Sequence, residues 1–178
     1  MALTVFHVAV TTCEDYLERR RPGRDAHHAQ LLAWRAAGTL IAAGPAPDGK
    51  LVDLFWRAED EDAVAQLMQA DRFVIEGLWA MYVGRPFVEF IDPLTLPPLD
   101  GNRLGVIVEG RTTDGARAAR ALLALRADGR VAFGGFFAEG DGLALTFAPE
   151  LHEALRWLAS ADGWVADGLK ARPFHYVL

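Results

Sequence analysis

The chain has one cysteine, Cys13, one serine, Ser160, and two lysines, Lys50 and Lys170. A single cysteine excludes an internal disulfide and a thiolate zinc cage. Ser160 has no G-x-S-x-G around it, which removes the serine hydrolases. Neither lysine lies in an apolar run of the kind that Schiff-base lysines use. Glycine-rich phosphate loops of the G-x-G-x-x-G or Walker type are missing, as is the H-E-x-x-H zinc motif. No apolar run reaches the ~18 residues that a membrane helix needs, because Arg35 interrupts the longest one. The opening Met-Ala-Leu-Thr-Val lacks the basic start of a secretory signal, so a cytoplasmic location is expected. A basic surplus is absent too. The 18 Lys and Arg are outnumbered by 24 Asp and Glu, giving a net charge of −6. With no basic stripe along any segment, nucleic acid is not an expected partner.

What is present is an ordinary globular composition, with 52% hydrophobic and 24% charged residues in 178. That length suits one large domain or two small ones of about 90 residues. Self-comparison decides for two. Shifted by 91 positions, Leu31 to Leu78 aligns without a gap with Leu122 to Leu169, with 17 identities in 48 positions. Leu31-Leu32-Ala33 meets Leu122-Leu123-Ala124, and Gly38, Gly44 and Gly49 meet Gly129, Gly135 and Gly140. Ala70-Asp71 meets Ala161-Asp162, and after a four-residue deletion Arg85-Pro86-Phe87 meets Arg172-Pro173-Phe174. The reading is a tandem duplication: repeat 1 over 1–94, a proline-rich linker over 95–102, and a degenerate repeat 2 over 103–178.

Both repeats show one element order. Leu3 to Val10 is an apolar, β-branched strand, echoed by Leu104 to Val108. A helix is predicted from Arg24 to Ala37, ended by Gly38, then a strand from Leu40 to Ala43. The Asp48-Gly49 turn leads into Leu51 to Trp56, where Val52, Leu54 and Trp56 alternate; Leu143, Leu145 and Phe147 are their predicted counterparts. A second helix covers Asp60 to Ala70, and Trp79 to Phe90 closes the unit as a strand. This βαββαβ order is ferredoxin-like, an α+β fold. Phe6, Trp56 and Phe87 on the sheet face opposite the helices would leave an apolar patch in water. The expected solution is two sheets packed as an internal pseudo-dimer, with further pairing into a homodimer left open.

Arg24-Asp25-Ala26-His27, then Leu31, Gly38, Ala43-Gly44-Pro45, Ala70-Asp71-Arg72-Phe73, Gly77 and Pro86-Phe87 together resemble the YCII-related family. That family carries R-x-x-H in its first helix, a G…AGP strand, a D-P-F/Y turn and a closing P-F strand, and the resemblance covers nearly all of residues 1–94. It implies a dimeric α/β barrel and a His–Asp site, placed here at His27 and Asp71. A few relatives act on small hydroxylated or chlorinated ring compounds. Muconolactone isomerases share the general fold. Arg72 stands where the family usually has proline, which changes the expected turn.

An imidazole held by a carboxylate is a suitable general base, since the carboxylate fixes the tautomer and stabilises the imidazolium. His27, Leu31 and Trp34 share one helical face, so His27 also fits a core histidine bonded to a backbone carbonyl. Asp71 fits a helix cap as well as a catalytic partner. In repeat 2 the gapless alignment keeps the aspartate as Asp162 but puts Ala118 at His27 and Gly115 at Arg24, so at most one site is expected. Arg24, one turn before His27, is the candidate clamp for a substrate carboxylate. His28 points about 100° away from His27, so a metal site from the two is not expected. His7 and Cys13 read as strand filler, Cys13 without a cationic partner. Arg19-Arg20-Arg21, flanked by Glu14, Asp15 and Glu18, reads as a solvated run with helical ion pairs.

The resulting expectation is an enzyme that needs no cofactor or metal. His27 and Asp71 would carry acid/base chemistry on a small cyclic or hydroxylated substrate, in an isomerase, lyase or dehalogenase reaction. The alternative is a non-catalytic small-ligand-binding or interaction module with no turnover.

Overall fold

Strict alternation along β1 (Thr4–Thr12) divides its side chains between two faces. Phe6, Val8 and Val10 join one core cluster, while Val5, His7 and Ala9 point the other way. The structure, a computed structural model, describes residues 3–99 and 103–177, and the chain separates into two units. The first comprises Met1–Pro86 with Tyr176–Leu178, and the second Phe87–His175.

In the first unit β1 is followed by a one-turn helix α1 (Tyr16–Arg19), a 3-10 turn Arg21–Gly23 and helix α2 (Arg24–Ala36). Gly38 takes φ +77°, the left-handed turn in which a Cβ would be strained, and releases the chain into β2 (Leu40–Pro45). Next come β3 (Leu51–Ala58), α3 (Glu61–Ala70), the single turn α4 (Arg72–Ile75) and β4 (Trp79–Pro86). Asp60 caps α3, its Oδ1 accepting from Ala63 N at 2.8 Å. The sheet runs β2-β3-β1-β4, antiparallel throughout, which is the ferredoxin-like order. Leu31 of α2 and Val64 and Met68 of α3 close over Phe6, Val8, Leu54 and Trp56. Phe6 and Trp56 therefore face the helices, contrary to the expectation that put them on the opposite face. They are cross-strand partners in register, and Trp34 of α2 meets Trp56 edge-on at 5.2 Å. Along β2, Val177 N donates to Ala43 O at 3.3 Å.

The predicted strand from Trp79 to Phe90 is two strands. Proline has no N–H for the ladder, and pairing with β1 ends at Pro86. Val88 N donates instead to Phe136 O at 2.8 Å, and Glu89–Ile91, β5, enters the sheet of the second unit. That unit continues with β6 (Arg103–Arg111), α5 (Gly115–Ala127), β7 (Val131–Phe136), β8 (Asp141–Thr146), α6 (Leu151–Ala159) and β9 (Lys170–Tyr176). Its sheet runs β5-β7-β8-β6-β9, the same order with β5 added at one edge. The units thus part at Pro86–Phe87 rather than at position 94. Residues 95–99 of the expected linker carry no helix or strand, and its positions 100–102 lie outside the described residues.

The gapless alignment fails after the first hairpin of each unit. The shift of 91 holds for α2 with α5 and for β2 with β7, where Ala43 and Gly134 occupy equal places. Lys50 then has no counterpart. Val52, Leu54 and Trp56 face the helices in the first unit, and Gly142, Ala144 and Thr146 stand at those places in the second. Leu143 and Leu145 turn to the other face, because one residue of slip reverses every side chain of a strand. The second helices follow the new shift of 90, with Val64 and Met68 matching Ala154 and Leu158. Asp71 consequently matches Ala161, their N–H groups bonding Met68 O and Leu158 O in the same way. Asp162 is not the retained aspartate. It is exposed, and Asp162→Ala is expected to change unfolding free energy by no more than about 0.5 kcal/mol in a denaturant titration.

Candidate functional site

His27 and Leu31, four residues apart, form the buried stripe of α2, which turns the imidazole inward. Asp71 sits at the corner between α3 and α4 with an extended backbone (φ −71°, ψ 129°). Two bonds to Gln30 hold this corner. Its Nε2 donates to Ala70 O at 2.7 Å, and its Oε1 accepts from Arg72 N at 3.1 Å. The second bond needs the N–H that a proline would lack, so Arg72 changes how the turn is fixed without undoing it. The Arg72 guanidinium also reaches Glu76, Nε to Oε1 at 2.6 Å.

The Asp71 carboxylate is fully buried and both its oxygens are used. Oδ1 accepts from Phe73 N at 2.7 Å and caps α4. Oδ2 accepts from His27 Nε2–H at 3.0 Å. The cap and the histidine partner are one residue. An ionised carboxylate only accepts, so in the neutral ring the proton lies on Nε2 and the lone pair on Nδ1. No hydrogen bond to Nδ1 occurs among the described residues, and the side chain is 7% exposed. The ring stacks on Phe73 at 3.7 Å between centroids and meets Trp79 edge-on at 5.1 Å. Trp79 Nε1–H is fully buried with no hydrogen-bond partner, a cost of about 1–3 kcal/mol. It shares this state with Trp56 and Trp164.

Of the two described clefts, one of about 420 Å³ runs beside Trp34, Gly38 and Leu67, and one of about 660 Å³ lies over residues 11–18 and 48–50. Neither is lined by His27 or Asp71. The larger is one ring away, since its wall residue Tyr16 packs edge-on against Phe73 at 6.0 Å.

Arg24 opens α2, exposed, with no described contact to either member of the dyad. His28 is exposed and donates from Nε2 to Val177 O at 3.3 Å. No group of three or more His, Cys, Asp or Glu side chains suited to a metal ion occurs among the described residues. Cys13 does have a cationic partner, with Arg19 Nη1 donating to its Sγ at 3.3 Å. Arg20 lies over the Tyr16 ring at 5.2 Å, so Arg19 and Arg20 serve Cys13 and Tyr16 in place of the expected ion pairs. His7 is not filler either, being buried and bonded to Asp53. In the second unit Ala118, fully buried, stands at the place of His27. Gly163 closes against it, since a Cβ there would meet Ala118 N. Phe73 stands at the aromatic position of the D-P-F/Y pattern, whereas Gln30 and Trp79 carried no sequence signal beyond their nearness to the motif.

Comparison with known proteins bears on the family and the fold. The model of the YCII-related domain matches residues 4–88. No curated protein matches the chain. Among solved structures, a presumed monooxygenase from Fusobacterium nucleatum is 8% identical over 99% of this chain and 94% of its own, with TM-score 0.64. Another from Lactobacillus acidophilus is 10% identical over 100% and 95%, with TM-score 0.61. At those identities the likeness is one of fold, the dimeric α+β barrel type. A dehydrochlorinase from Burkholderia phenoliruptrix, solved with 2,5-dihydroxybenzoquinone, is 24% identical over 45% of this chain and 89% of its own, with TM-score 0.41. No helix among the described residues is long and apolar enough to cross a membrane.

Proposed function

Residues 4–88 of this chain belong to the YCII-related family, and from that premise we propose that the first unit is an acid/base catalyst for a small cyclic or hydroxylated substrate, with His27 as base and Asp71 as its positioning partner. One observation carries the reading: the buried Asp71 carboxylate bonds His27 Nε2 at 3.0 Å, and no hydrogen bond to Nδ1 occurs among the described residues. Nδ1 takes a proton from an acidic C–H or O–H of the substrate. The imidazolium so formed lies against the buried carboxylate, which stabilises it, and the proton returns to another ring position or to a leaving group. The first outcome is isomerisation and the second elimination or dehalogenation. Neither requires a cofactor.

Arg24, exposed one turn before His27 on α2, is the proposed anion clamp. A cation at a helix N-terminus is unfavourable for the helix itself, and an anionic substrate group would relieve that cost. Arg24→Gln is expected to raise KM about tenfold or more on an anionic substrate with little change in kcat.

A second reading, a ligand-binding module without turnover, draws support from the cleft of about 660 Å³ over residues 11–18 and 48–50. The discriminating experiment incubates the protein with hydroxylated and chlorinated six-membered ring compounds and follows product by chromatography. Turnover that disappears in His27→Gln supports the catalyst. Binding of the same compounds without turnover, equal in wild type and variant, supports the module.

A further inference from the structure

β4 is an end strand of its sheet, paired with β1 on one side only. An open strand edge presents a row of unpaired N–H and C=O groups, and proteins blunt such edges with lysine, proline, short length or a cover. The other end strands are blunted in these ways. At β2, Val177 N bonds Ala43 O and Pro45 closes the strand. β5 has only three residues. β9, which borders β6 as β4 borders β1, carries Lys170, Arg172 and Pro173. β4 has eight residues and no charge from Trp79 to Gly84. Aligned on the shared Arg-Pro-Phe, Val83 stands at the place of Lys170. Its side chain is 57% exposed, and that of Met81 61%.

Alternation along the ladder shows which backbone groups are open. Thr12 N donates to Lys50 O at 3.1 Å, so even-numbered residues of β1 bond toward β3 and odd-numbered ones toward β4. Through the pairs His7–Arg85 and Ala9–Val83, odd-numbered residues of β4 bond back to β1. Tyr82 and Gly84 therefore turn their N–H and C=O outward. No backbone bond among the described residues reaches either of them from outside the β1–β4 ladder. The row is bounded at both ends, because Ala80 is an extra residue at the shift between Thr11 and Thr12, and Pro86 has no N–H.

We propose that β4 pairs with β4 of a second copy, antiparallel about a twofold axis at Val83, and that the chain is a homodimer. Tyr82 then faces the partner's Gly84, and Gly84 the partner's Tyr82. The two pairs exchange hydrogen bonds through every regular outward group, and any other centring leaves some unused. Val83 meets the partner's Val83 at the closely spaced, non-hydrogen-bonded position, where an apolar β-branched pair is favourable. Two chains of net charge −6 meet along a strip that carries no charge from Trp79 to Gly84. The strip is its own complement, and a twofold pairing uses both edges and closes, which selects a second copy as the occupant.

Sedimentation equilibrium over the micromolar range is expected to show a dimer. Val83→Lys, which puts at this place the lysine of β9, sets like charges against each other and raises the dissociation constant at least about tenfold. Val83→Cys forms a disulfide-linked dimer under mild oxidation, because a non-hydrogen-bonded pair brings the two Cα atoms within disulfide range. Wild type, with Cys13 as its one thiol, and Leu104→Cys, equally exposed at 57% on β6, do not. The proposal is overturned by a monomeric wild type, by an assembly larger than a dimer, or by a dimer that Val83→Lys leaves intact. Cross-linking of Val83→Cys no faster than that of Leu104→Cys overturns it too, and decides the matter if Val83→Lys fails to fold.

Discussion

His27→Gln is expected to lower kcat on the substrate by about two to four orders of magnitude, the usual contribution of a positioned general base, with the fold intact. Glutamine keeps an N–H donor for Asp71 Oδ2, so the buried carboxylate is not left half-paired. It has no site that titrates, so the proton acceptor is lost. Alanine is the poorer test, because it opens a void beside Phe73 and Trp79 and strips Oδ2 of its partner. A drop in kcat with a thermal midpoint near that of wild type separates chemistry from unfolding.

Asp71→Ala is expected to destabilise the protein by about 2–4 kcal/mol. The buried His27 Nε2–H is left unpaired, at about 1–3 kcal/mol, and the cap of α4 is lost with it, at about 1 kcal/mol. Denaturant unfolding with an unchanged m-value reads this directly. Asp71→Asn divides the two roles. The asparagine Oδ1 still accepts from Phe73 N, so the loss of stability is expected to be about 1 kcal/mol. Its amide N–H then meets Nε2, which must accept and transfer the ring proton to Nδ1. The base is occupied, and activity falls nearly as far as in His27→Gln. A purely structural Asp71 would leave Asp71→Asn active.

The dyad was legible because two local patterns met the same demand. The i, i+4 spacing of His27 and Leu31 turned the histidine inward, and an aspartate before a short helical turn is a cap by composition. Cap and partner were alternatives in the sequence, yet a carboxylate has two oxygens and uses one for each. Three features were not legible, each for a stated reason. Lys50 adds one residue to the first hairpin, and identities such as Ala70-Asp71 with Ala161-Asp162 concealed the slip. Burial, which tracks faces, reveals it where identity does not. Phe6 and Trp56 were assigned to the wrong face because alternation fixes which residues share a face but not which face meets the helices. The partner of His7 was hidden because Asp53 is 46 residues away and diagonal on the neighbouring strand, a relation that depends on register.

The most direct test of the account is the ring ¹⁵N spectrum of His27, recorded where the imidazole is neutral. The account predicts the Nε2–H tautomer in wild type, with Nδ1 showing the shift of an unprotonated nitrogen and moving when a substrate analogue is added, and inversion of the tautomer in Asp71→Asn. A wild-type ring protonated on Nδ1, or a tautomer indifferent to Asp71→Asn, would contradict it.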